Sequence, residues 1–146
     1  MDFKSQIGHR IDEHRDEIVG VSRRIHEEPE LGHQEYKASK LLAGELKKHG
    51  YDVKLGVSGM ETAFIASRRK RKGPTVGILT EYDALPGIGH ACGHNLIAAS
   101  ALGAAVGVAA VADELPGNLV VYGVPAEEGV VQNAGGKVVM LDEIRK

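Results

Sequence analysis

Ile7, Ile11, Ile18, Val21 and Ile25 recur at helical spacing among charged residues, so the chain opens with an amphipathic helix that must end before Pro29. A second helical period, Ala38, Leu41, Leu42 and Leu46, predicts a helix from about Gln34 to His49. Lys47, Lys48 and His49 complement its C-terminal dipole and Gly50 caps it. The period then shortens to two. Tyr51, Val53 and Leu55 alternate with polar residues and Thr62–Ser67 is β-prone, which predicts a strand pair joined through Gly56–Gly59. Pro74–Thr80 and Leu119–Val124 are uncharged, largely apolar runs of the kind found in strands covered on both faces. Between them Leu96–Ala112, rich in Ala, reads as a buried helix. Strand, helix, strand is a βαβ unit, so the fold class is α/β, a mainly parallel sheet flanked by helices. In such sheets ligands bind beyond the carboxyl ends of the strands, which directs attention to the chain just after Thr80 and just after Val124.

Composition narrows this picture. The 146 residues fit one domain, and with 42% apolar residues and a net charge of −2 the chain has no reason to stay unfolded. Cys92 is the only cysteine, so an intrachain disulfide is excluded and a reducing compartment, the cytoplasm, is expected. Charges run through Asp2, Lys4, Arg10, Asp12 and Glu13, leaving no apolar signal segment. Leu96–Ala112 lacks charge, but its Ala and Gly content makes it a poor bilayer span, so no membrane is expected. A pI near 6.4 gives nucleic acid no support as a partner, and none is expected. The basic tract Arg68-Arg69-Lys70-Arg71-Lys72 has no aromatic residues interleaved to stack on bases and reads as a solvated loop.

Both strand ends are dense in potential metal ligands. After the first come Glu81, Asp83, His90, Cys92, His94 and Asn95; after the second come Glu127 and Glu128. Thiolate, imidazole and carboxylate are the side chains that bind zinc, and Gly93 lets the backbone between Cys92 and His94 fold tightly. Adjacent acids behind a buried strand can divide labour, one binding metal and the other moving protons. Gly135-Gly136-Lys137 fails as a phosphate loop, since Val131 stands where a glycine is required, and reads as a turn before a last helix near Lys137. Tyr82 and Tyr122 read as core or rim packing.

Four motifs, His26-Glu27-Glu28-Pro29-Glu30-Leu31-Gly32, Asp83-Ala84-Leu85-Pro86, His90-Ala91-Cys92-Gly93-His94 and Pro125-Ala126-Glu127-Glu128-Gly129, occur in this order. From His26 onward the chain resembles the aminoacylase and carboxypeptidase-type metallopeptidases (peptidase family M-twenty). It is most similar to the amidohydrolase branch with aminobenzoyl-glutamate hydrolases and aminoacylase-1-like dipeptidases. The resemblance implies metal ligands Cys92, His94 and Glu128, a general base Glu127, and an Asp83 that orients a ligand. It implies one or two Zn2+ or Mn2+ ions per complete site and hydrolysis of a small-molecule amide or dipeptide substrate. The family's wider pattern has a histidine where Glu81 stands, so Glu81 is given no role, and many branch members have Asp where this chain has Asn95.

Family members are longer, carry two further histidine ligands and an inserted lid domain, and commonly form homodimers. No histidine follows Glu128 here. Residues 1–146 are therefore expected to be the N-terminal portion of a catalytic domain, inactive alone. Two other readings stay open: a hydrolase using Cys92 as nucleophile with His90 or His94, and a non-catalytic metal-binding or interaction module.

Overall fold

The computed structural model describes residues 2–68 and 72–145. The first amphipathic run is split into α1 (Phe3–Glu13) and α2 (Arg15–Glu27), with the backbone leaving helical geometry at His14. α3 (Tyr36–Lys48) is the second expected helix. Gly50, at φ +82°, ends it, and the Tyr51 N–H returns to the Leu46 carbonyl. The strand pair is β1 (Asp52–Leu55) and β2 (Phe64–Arg68), followed by β3 (Thr75–Glu81), α4 (His94–Ala109) and β4 (Asn118–Val124). Two short helices, α5 (Gly136–Val139) and α6 (Leu141–Ile144), follow where one was expected near Lys137.

The sheet order is β1-β2-β4-β3. β3 and β4 pair in parallel across α4, as the βαβ reading requires, from Thr75 opposite Asn118 to Glu81 opposite Val124. β1 and β2 form an antiparallel hairpin, and β2 also pairs antiparallel with β4. The described sheet is therefore mixed rather than mainly parallel. A short hairpin can only be antiparallel, and β2 inserts beside β4 instead of extending the β3 edge.

Side-chain alternation separates two apolar clusters. Phe64, Ala66, Leu119 and Val121 face α2, α3 and α4, joined by Val21, Leu42, Leu46 and Leu102. Tyr122, Val124 and Ala63 face the other way and are covered by Val57, Met60 and Met140. α4 is apolar on every side because α1, α2, α3 and β3 all pack around it. Tyr82 and Tyr122 are core residues: Tyr82 stacks on Phe64 with ring centroids 6.0 Å apart and donates to the Thr62 carbonyl at 2.6 Å. β3 departs from expectation. It is an edge strand, and Val76 and Leu79 are 60% and 40% exposed rather than covered on both faces. Arg68 donates to the His49 carbonyl and lies over the Tyr51 ring, while Arg69 to Arg71 of its basic tract fall outside the described residues. Among the described residues no helix is long and apolar enough to cross a membrane.

Candidate active site

The parallel register brings the ends of β3 and β4 level, so Glu81 and Asp83 emerge beside Glu127 and Glu128, and the first turn of α4 presents His94 to all four. Gly93, at φ +82°, supplies the left-handed turn that starts α4 and lets the Cys92–His94 loop fold back, as its position suggested. His94 is almost fully buried. Its Nδ1 lies 3.0 Å from Asp83 Oδ1 and 2.9 Å from the Asp83 carbonyl, so Nδ1 carries a proton and donates to Asp83. That leaves Nε2 facing Glu81 at 3.3 Å, Glu127 at 3.6 Å and Glu128 at 3.8 Å. An imidazole held at one nitrogen by a backbone carbonyl, with a carboxylate beside it, and turned by the other toward acids is how proteins orient a metal-binding histidine.

The electrostatics follow from this crowding. The hydrogen bond to Asp83, with the charges of Asp83 and Glu81, outweighs burial and raises His94 to about 9, so in the metal-free protein it is an imidazolium at neutral pH. Burial pushes the Asp83 carboxyl up, but hydrogen bonds from His94 and the Glu128 N–H outweigh it and leave Asp83 below its ordinary range. Cys92 is exposed, and its hydrogen bond with Glu128, followed by the nearby negative charges, pushes its thiol up. Acid neighbours disfavour a free thiolate, which counts against Cys92 as a nucleophile, whereas a bound cation would reverse that bias.

Of the residues implied by the resemblance, Asp83, His94, Glu127 and Glu128 converge directly, and Cys92 joins them through Glu128. Glu81, given no role from sequence, is part of the cluster: Glu81, His94 and Glu127 each offer a ligand atom within 4.8 Å of the others. His90 does not join it. Its ring is buried beside His26, with centroids 6.5 Å apart. Asn95 donates to Ser22 Oγ at 3.0 Å and ties α4 to α2.

Two participants escaped the sequence. Lys137 Nζ lies 2.5 Å from Glu81 and 3.1 Å from Glu127, a cation bridging two of the clustered acids. The fully buried Glu35 accepts from Thr62 Oγ1 and from the Ala126 N–H, both at 2.8 Å. That second bond holds Ala126 at φ +52°, an uncommon conformation for a residue with a Cβ, immediately before Glu127. One position later the Glu128 N–H donates to Asp83 at 2.9 Å, so two buried carboxylates grip the backbone of the Glu127-Glu128 pair. On its far side the Gly135 N–H reaches the Ala126 carbonyl at 2.7 Å, and a Cβ on Gly136 would lie 2.1 Å from the Pro125 carbonyl oxygen. Gly136 is there for close approach and Gly135, at φ +86°, for the left-handed turn before it. The His26–Gly32 motif is also structural: the Glu30 carboxylate accepts from the N–H groups of Lys37 and Ala38 at the start of α3, and its carbonyl accepts from Ala84.

This geometry agrees with comparison to known proteins. Residues 77–146 match the model for "Peptidase family M20/M25/M40". Thermostable carboxypeptidase 2 of Saccharolobus solfataricus is 36% identical over 143 residues, covering 88% of this chain and 36% of that protein. The Xaa-Arg dipeptidase of Homo sapiens is 36% identical over 149 residues, covering 90% of this chain and 33% of that protein. Among solved structures, the Bacillus subtilis YXEP protein, described as a dinuclear metal binding peptidase from the M20 family, superposes with a TM-score of 0.69 at 29% identity, covering 75% of this chain and 34% of that one. The scaffold is thus the α/β one of the peptidases it resembles. The chain belongs to peptidase family M20, and it spans about a third of the length of the curated relatives it matches.

Proposed function

We propose that residues 1–146 are the N-terminal portion of the catalytic domain of a metal-dependent amidohydrolase acting on dipeptides or N-acyl amino acids. The observation that carries the reading is His94, fixed through Nδ1 by Asp83 and turned through Nε2 toward three carboxylates. Imidazole, thiol and carboxylate together suit Zn2+ or Mn2+; the resemblance gives Cys92, His94 and Glu128 as the residues that would hold an ion, while the ligand atoms within 4.8 Å of one another are those of Glu81, His94 and Glu127. Bound there, a metal supplies Lewis-acid polarisation of the scissile carbonyl and lowers the pKa of water.

The protein's own groups do the rest. Glu127 takes the proton from the attacking water and later delivers it to the leaving amine. Asp83 keeps His94 in one tautomer, and Glu35 fixes the backbone that aims Glu127. Lys137 offsets the charge of Glu81 and Glu127. The lone, exposed Cys92 suits a reducing compartment such as the cytoplasm. In the complete enzyme we expect a homodimer.

Metal uptake and turnover test this on the same samples. Zn2+ and Mn2+ binding at this cluster should be lost in His94→Ala and weakened in Cys92→Ser, and should persist in Glu127→Gln. Against a panel of dipeptides and N-acyl amino acids the 146-residue chain should be inactive, and Glu127→Gln should abolish turnover in an active longer form. Metal loss in Glu127→Gln equal to that in His94→Ala would remove the general-base assignment. Unchanged metal binding in His94→Ala would remove the site.

A further inference from the structure

The apolar period from Ile7 to Ile25 runs without interruption, yet the helix breaks at His14, where φ is −104° and ψ is 14°. Sharp helix breaks usually come from proline, from glycine or serine, or from a side chain inserted into the ladder. The nearest glycines, Gly8 and Gly20, are six residues away on either side, and the residues flanking the break are Glu13 and Arg15. What the break achieves is placement of the His14 ring. Its Nδ1 lies 3.1 Å from Glu17 Oε2, and the other oxygen of that carboxylate lies 2.6 Å from Nε2 of His49, the residue that closes α3. The two imidazoles meet edge to face at a centroid separation of 4.7 Å, and one ligand atom from each of the three residues lies within 4.8 Å of the other two.

We propose that His14, Glu17 and His49 form a second metal site, a His2Glu centre for Zn2+ or a similar divalent transition metal, separate from the acid cluster. Zinc bonds of about 2.1 Å in a tetrahedron put ligand atoms roughly 3.4 Å apart, and the observed separations reach that spacing through small side-chain rotations. Two imidazoles with one carboxylate select zinc, cobalt, nickel or copper over calcium and magnesium, which prefer oxygen alone. The site is shielded and anchored: His49 is buried, His14 and Glu17 are half-buried, and the His49 carbonyl is held by Arg68. Burial pushes the Glu17 carboxyl up, but hydrogen bonds from His49 and His14 outweigh it and keep it ionised. None of the three residues contributes to the acid cluster, which forms beyond the other end of α3, a helix of 13 residues and about 20 Å. A bound ion would join the α1–α2 bend to the end of α3, with water completing its shell.

The test silences the first site and measures the second. In a Cys92→Ser/His94→Ala background, zinc competition with a chromogenic chelator should still find one ion per chain. Zinc should also raise Tm by about 5 °C or more. Adding Glu17→Gln, which keeps the size of the side chain and one of its two acceptor oxygens, should weaken binding about tenfold or more and abolish the Tm rise, while the metal-free Tm moves little. Should that variant fail to fold, His14→Ala, at a more exposed position, serves in its place with the same expectation. Cobalt bound in the background should show no thiolate charge-transfer band. Absence of zinc uptake in the background, or unchanged uptake after Glu17→Gln, would show a plain hydrogen-bonded triad and overturn the proposal. Neither result bears on the acid cluster, which lacks Cys92 and His94 in every sample.

Discussion

At the scale of single residues, His94 and Glu35 show how buried charge shapes the candidate site. His94 titrates near 9 when folded against an ordinary value of 6.5, so its protonation favours the folded state. That contribution is complete below about pH 6.5 and is lost as pH rises through 9. The metal-free chain should therefore lose more stability between pH 7 and 9.5 than a His94→Gln variant does, as read by urea unfolding, and the His94 ring signals should titrate near 9 by NMR. Glu35 behaves oppositely: burial is the main cause raising its carboxyl above the ordinary value, although Thr62 and the Ala126 N–H favour the ionised form. Glu35→Ala strands the Ala126 N–H and should cost about 2 kcal/mol in chemical denaturation. In an active longer form it should lower kcat more than it raises KM, because it releases the backbone before Glu127.

Elements were legible in the sequence wherever a long period ran. The Ala38–Leu46 helix, the Ala-rich helix and both strands of the βαβ unit stand where their patterns put them. Position within the sheet was not legible. Pro74–Thr80 has the composition of a central strand, yet β3 lies at the edge, because periodicity reports which faces are apolar and says nothing about which neighbours arrive. An exposed, apolar parallel edge offers unpaired backbone groups to another chain. Val76→Lys should therefore suppress concentration-dependent light scattering by the 146-residue chain without lowering its Tm by more than about 2 °C. The break at His14 was equally hidden, since a pattern of isoleucines runs straight across it.

For the molecule as a whole, the candidate site was half legible. Cys92, His94, Asp83, Glu127 and Glu128 stand out because their types and spacing carry chemistry on their own. Glu81 stood among the potential ligands without a role, and Glu35 and Lys137 carry no such signal: each acts through a contact between segments far apart in sequence, 91 residues apart for Glu35 and Ala126 and 56 for Lys137 and Glu81. The register between β3 and β4 gives those contacts a further meaning. Glu127 and Glu128 are chemically identical neighbours, and what tells them apart is where the backbone count places each one, starting from Glu81 opposite Val124. The strand behaves as a reading frame. One residue gained or lost between Leu119 and Pro125 would slide the pair by one place, leaving one glutamate in its neighbour's position and carrying the other out of the site, with Ala126 or Gly129 in the vacated place. A one-residue indel there amounts to a double substitution in the candidate site, so the length of this strand is as much a chemical parameter as the acids that follow it.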